Sequence, residues 1–186
     1  MMKTIYTVSI FLVLVLAQLF VPVRMIFDQE KVLTKGVAYK FKTQPVDPSD
    51  PFKGKYIYLN FEINAAPSKD TTWVHGTPIY IALATDSLGF AKVNAISRIA
   101  FDDSDYVQAK VDYYNNYQKT VHFSFPFTEF YMNEAKAYDA EVAHVNAQRD
   151  SLPNNTYALV YVLDGKAVLD NVFINETPIT DYVEKE

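Results

Sequence analysis

The uncharged run from Ile5 to Val23 limits this chain more than any other feature of its sequence. Its centre, Ile10 to Leu16, is apolar throughout. As a helix rising about 1.5 Å per residue it would span roughly 28 Å, close to the ~30 Å hydrocarbon thickness of a bilayer. Lys3 precedes the run and Arg24 follows it directly. Three readings compete: a retained anchor, a signal peptide cleaved after Ala17, and a helix buried in a soluble domain. A signal peptide needs only a short apolar region, and Leu19, Phe20, Val21 and Val23 carry the run past that site. A buried helix would need protein against every face. Length therefore favours the retained anchor. The expected organisation is a cytoplasmic tail over 1–4, a transmembrane anchor over 5–23, a stalk over 24–35 and one β-rich domain over 36–186.

Orientation rests on weaker grounds. Lys3 and the amino terminus are opposed by Arg24 and Lys31, so local charge is nearly balanced. The short tail and signal-like start favour a cytoplasmic N terminus, a single pass through the cytoplasmic (inner) membrane, and a domain on the extracytoplasmic side. The net charge of −5 argues against nucleic acid or an anionic lipid surface as a partner. The chain has no cysteine, which excludes disulfides and a lipidated cysteine.

Fourteen Tyr and 13 Phe favour strands in the remainder. Val37–Lys42 alternates as a first strand. Gln44–Lys53, with three prolines, is a shaped loop. Tyr56–Ile63 is the clearest strand: Ile57, Leu59, Phe61 and Ile63 share the apolar face, and Tyr56, Tyr58, Asn60 and Glu62 the other. Ala65–Gly76 reads as a loop, and Pro78–Ala84 and Ala91–Ile99 as strands joined by a turn at Asp86–Gly89. Tyr106–Tyr114 and Gln118–Phe125 form a hairpin around Asn115-Asn116. Helical periodicity appears only over 128–149, with Thr128 as N-cap and Phe127, Tyr131, Tyr138, Val142 and Val145 on one stripe. Thr156–Leu163 and Lys166–Phe173 flank Asp164-Gly165, a tight hairpin signal. The fold class is mainly β with one substantial helix (α+β). A transmembrane helix precedes an antiparallel sheet closing towards a small barrel or sandwich.

No residue set announces chemistry. His75, His122 and His144 are widely spaced and lack ligand-pair spacing, and no cysteine completes a metal set. Ser68-Lys69 is the only adjacent Ser–Lys pair and lies in a loop; a hydrolase would need that lysine buried and neutral. No catalytic residue, metal or cofactor is assigned. Glu134 and Glu141 fall within about 60° of the apolar stripe at 100° per residue, a candidate binding edge for a ligand or partner. Asp47 and Asp50 are turn formers first.

The segment Pro45-Val46-Asp47-Pro48-Ser49-Asp50-Pro51-Phe52-Lys53-Gly54-Lys55-Tyr56-Ile57-Tyr58-Leu59-Asn60-Phe61 resembles the signature of the GDYXXLXY protein family. Gly54 takes the glycine, Tyr56 the first tyrosine and Leu59 the leucine, while Lys55 replaces the aspartate and Phe61 the final tyrosine. Pro45, Asp47, Pro48 and Asp50 look like the family's lead-in. Phe125–Glu141 looks like its second block, and the Asp164-Gly165 hairpin fits too. The resemblance implies a bacterial, membrane-anchored protein with an accessory role beside polytopic membrane proteins. Lys55 reverses the charge at one signature position, so no carboxylate there performs catalysis or binds metal. The motif reads as architecture: Gly54 meets a backbone demand and the prolines stiffen the approach to the strand. The leading expectation is a domain that docks an integral membrane partner or envelope component. The alternative is a small-ligand or lipid-binding domain with an aromatic-lined pocket. A hydrolase-like enzyme, joining Glu134, Glu141 or His122 to Asp47 or Asp50, ranks third.

Overall fold

The computed structural model describes residues 2–44, 56–131, 140, 142–143 and 156–183. Helix α1 (Met2–Lys35) runs unbroken for 34 residues. That is roughly 51 Å, well beyond the ~30 Å a bilayer core requires. From Ile5 to Phe27 its large apolar side chains are all exposed, apart from the half-buried Val15, as a lipid-facing surface must be. Residues 24–35, read from sequence as a stalk, are helical and continuous with the apolar run.

The strands that follow are β1 (Val37–Gln44), β2 (Tyr56–Tyr58), β3 (Asn60–Phe61), β4 (Ala65–Pro67), β5 (Pro78–Thr85) and β6 (Ala91–Ser97). After them come β7 (Tyr106–Asn115), β8 (Thr120–Ser124), β9 (Glu129–Tyr131), β10 (Thr156–Leu163), β11 (Lys166–Ile174) and β12 (Thr177–Pro178), then a short helix α2 (Ile179–Val183). Two five-stranded sheets result, ordered β12-β11-β10-β1-β3 and β4-β8-β7-β5-β6, with β2-β9 as a separate pair. All ladders are antiparallel. Parallel bridges at Lys40–Phe90 and Val107–Gly165 tie the sheets together, closing the assembly towards a barrel.

Alternation sets which side chains enter the core. Ile57, Leu59 and Phe61 are buried, whereas Tyr58, Asn60 and Glu62 face out. The run nevertheless changes partner at Leu59: β2 pairs with β9 and β3 pairs with β1. The Leu59 N–H donates to the Thr128 carbonyl at the crossover. The interior is filled by rings. Phe41, Phe61, Phe123, Phe125 and Phe127 are buried, and Phe41 meets Phe61, Phe125 and Phe127 with centroids 5.0–5.7 Å apart.

Two sequence readings are corrected. Ala65–Pro67, read as loop, is an edge strand pairing with β8, where Pro67 needs no ladder donor of its own. Residues 129–131, read as the first turn of a helix, form β9 with only Phe130 buried, while Tyr131 is exposed rather than on a core stripe. The Phe127–Tyr131 spacing mimics a helical face, but burial alternates with period two. Ala140, Val142 and Ala143 are helical, and Ala140 and Ala143 pack on the core. The remainder of the expected helix, from 132 onward, lies outside the described residues.

Candidate functional site

The end of α1 is fastened to the domain by one face. Asp28, Val32 and Gly36 are spaced four residues apart, which places them above one another on a helix. Val32 is buried at 2% exposure. Lys166 Nζ donates to Asp28 Oδ2 at 2.8 Å. That ion pair is exposed and screened by solvent; the buried Val32 contact holds the junction more firmly. Gly36 ends the helix, its N–H donating to the Val32 carbonyl at 2.8 Å. A Cβ there would fall onto that same oxygen and lie 3.0 Å from the Val162 oxygen, so only glycine lets the chain turn this close to β10.

Beside this junction α1, β7, β8, β9 and β11 enclose an open cleft of about 1030 Å³. Asp28 and Gln29 contribute its helical wall. Val32, Ala109, Val111 and Phe125 also border it, all four buried in the core. Charge is carried by Lys110, Asp112, Glu129 and Lys166, with His75 at the rim. Ser124 Oγ donates to Asp112 Oδ2 at 2.6 Å, and Tyr131 Oη to Glu129 Oε2 at 2.6 Å. His75 Nδ1 lies 2.8 Å from the Asp112 carbonyl oxygen, so that nitrogen carries the proton. A nucleophilic relay needs an imidazole between hydroxyl and carboxylate. Here Ser124 donates straight to the carboxylate, which holds the hydroxyl neutral.

A second recess lies between the β10–β11 turn and the loop before β7, where Tyr39 Oη donates to Asp105 Oδ2 at 2.8 Å. Burial, followed by the Asp105 carboxylate, pushes the Tyr39 phenol up to about 12, so it stays a donor. On the opposite face of β1 Lys40 pairs with Glu176 at 3.3 Å and Tyr157 donates to the same carboxylate at 2.8 Å.

The residues singled out from sequence are dispersed. Leu59 and Phe61 are buried beside β1, and Tyr56 has strand backbone in β2. Pro45, Asp47, Pro48, Asp50 and Gly54 lie outside the described residues, as do Glu134, Glu141 and His144. His122 stacks on Tyr113 with centroids 4.3 Å apart. The residues of the cleft escaped the sequence reading because they come from five separated elements. The one available signal was the four-residue spacing of Asp28, Val32 and Gly36 past the apolar run.

Ser68 proves to be a loop staple. Its hydroxyl donates to the Asp70 carbonyl at 3.0 Å and accepts from Trp73 Nε1 at 2.9 Å. Asp70 in turn accepts from the Thr72 hydroxyl and amide and from Arg98, whose guanidinium lies 4.3 Å over the Trp73 ring. The Thr72 bonds, then Arg98, lower Asp70 to about 2. A depressed carboxylate stabilises the loop above its unfolded value near 3.8 and loses that contribution as pH falls through about 2. Trp73 is the only tryptophan, so its fluorescence should change with a midpoint near 2. A midpoint at the ordinary carboxylate value, or an unchanged titration in Asp70→Asn, would contradict this network.

A family model described as GDYXXLXY protein matches residues 18–172, most of the chain. No curated protein and no solved structure matches it.

Proposed function

The chain belongs to the GDYXXLXY protein family, a bacterial membrane protein family of unknown function, and on that premise we propose that it docks an integral membrane partner from the outer face of the cytoplasmic membrane. The protein is membrane-anchored by its single apolar N-terminal helix. The observation that carries the reading is the fixed root of that helix. Only about nine residues, roughly 14 Å of helix, separate Val23 from the buried Val32. The domain is thereby held close to the bilayer at a set angle instead of swinging on a tether. Surfaces held at that depth serve partners that are themselves in the membrane. The packed ring cluster argues against a ligand cavity inside the barrel; the alternative small-ligand reading finds its support in the cleft beside α1 instead.

A photo-crosslinking residue at the exposed Gln29, activated in intact membranes, should capture one repeatable integral membrane protein. Inserting Gly-Ser-Gly after Lys35 should leave anchoring and folding intact yet abolish that crosslink. Capture of only abundant bystanders, or an undiminished crosslink with the insertion, would overturn the docking reading. Protease added to spheroplasts should digest the domain, and N-terminal sequencing should find Met1 or Met2. A start at Gln18, or full protection until lysis, would overturn the anchored, outward-facing topology.

A further inference from the structure

The apolar surface of α1 does not stop at Arg24. Met25, Ile26 and Phe27 are 59%, 65% and 71% exposed, and three consecutive helical residues point to three sides. Arg24 can snorkel from within such a surface. The next two residues, Asp28 and Gln29, already line the cleft. Between hydrocarbon and water lies a headgroup layer of about 5–8 Å on each side, and Asp28 to Val32 advances about 6 Å along the helix. The cleft therefore opens at headgroup depth.

Its charges are complementary to a headgroup with both signs. Lys166 is paired with Asp28. Asp112 and Glu129 accept from neutral hydroxyls, and among the described residues neither has a cationic partner. Among the described residues Lys110 has no carboxylate partner either. Among the described residues, one cation without a carboxylate partner thus borders the cleft together with two carboxylates without a cationic one, Lys110 and Asp112 sharing the outer face of β7. A purely anionic headgroup would face Asp112 and Glu129 unfavourably. A quaternary ammonium has no N–H to give a carboxylate and is held instead by aromatic faces. A primary ammonium offers three donors.

We infer that this cleft binds the headgroup of a phospholipid carrying a phosphate and a primary amine, with Lys110 on the phosphate and Asp112 and Glu129 on the ammonium. The assignment rests on the anchored reading above and adds a ligand to it. It also gives the fixed root of α1 a use: a mobile stalk would not keep the cleft at one depth.

Full-length protein in nanodiscs of equal parts dioleoyl phosphatidylethanolamine and dioleoyl phosphatidylcholine is the test, with retained lipid read by native mass spectrometry. Ethanolamine lipid should be retained about tenfold over choline lipid, the value of one charge-assisted hydrogen bond. Glu129→Gln and Asp112→Asn should remove that preference, and Lys110→Ala should reduce retention of both lipids. All three should melt like the parent, Glu129 and Lys110 being exposed. Equal retention by the parent protein, or a preference surviving in every variant, would overturn the assignment. Loss of the preference to soluble glycerophosphoethanolamine would assign the site to a free metabolite and overturn the lipid. A polypeptide captured at Lys110 in place of lipid would do the same. Failure to enter nanodiscs would refute the anchor itself, whereas entry without selectivity would refute only the headgroup site.

Discussion

Phe41→Ala should remove about 3–5 kcal/mol of stability, the usual cost of deleting a large ring from a core that cannot collapse around the gap. Phe41 is fully buried on β1. Its ring stands edge-on to Phe61 at 5.7 Å and to Phe125 at 5.3 Å, and lies 5.0 Å from Phe127. Those three rings come from β3 and from the segment leaving β8, so the cavity would open where both sheets meet. Each lost aromatic pair adds about 0.5–1.5 kcal/mol beyond the area uncovered. Domains are stable by only about 5–15 kcal/mol, so this one change should consume a large share. Thermal melting of the full chain in detergent, read by near-ultraviolet circular dichroism, measures it. Tyr117→Ala is the control: Tyr117 is 99% exposed and its loss should stay within about 0.5 kcal/mol. A Phe41→Ala loss no larger than that of Tyr117→Ala would mean that the ring cluster does not hold the sheets together.

What the sequence disclosed, and what it withheld, follows from the physics of each signal. Period-two alternation names the buried face, so Ile57, Leu59 and Phe61 were legible as core. It says nothing about which strand lies alongside, and the change of partner at Leu59 was therefore invisible. Asp164-Gly165 announced its hairpin because both residues tolerate positive φ, observed at 50° and 80°. The turn at Asn175-Glu176 uses the same region, at 50° and 67°, but Glu there gives no compositional hint. Gly36 was available as a helix terminator, yet the charges after Val23 drew the boundary of the membrane run and with it a stalk. Those charges mark where the uncharged run ends. They do not mark where the helix ends, since nothing from Arg24 to Lys35 breaks one. The cleft was the least legible feature, because Asp28, Lys110, Asp112, Glu129 and Lys166 are brought together by register, not by spacing.

Anchor and sheets converge at the β10–β11 turn. Gly165 follows Asp164 in the β10–β11 turn with φ +80°, and a Cβ built on it would lie 2.5 Å from Tyr106 Cε2. Its carbonyl accepts the Gln108 N–H at 2.9 Å, joining the two sheets, and its neighbour Lys166 reaches Asp28 on α1. Gly165→Ala should therefore combine left-handed backbone strain with overpacking against the tyrosine, about 2–5 kcal/mol together. Gly89 separates the two contributions. Its φ is +86°, but a Cβ there would meet nothing within 4 Å, so Gly89→Ala should lose only the strain of about 1–2 kcal/mol. Tyr106→Leu should recover part of the excess at Gly165 and none at Gly89, because the double-mutant coupling exists only where the ring is in the way. Equal losses at the two glycines would show that the turn is demanded by its backbone conformation alone. The close seat of Gly165 on Tyr106 would then contribute nothing to holding the sheets, and the anchor beside them, in place.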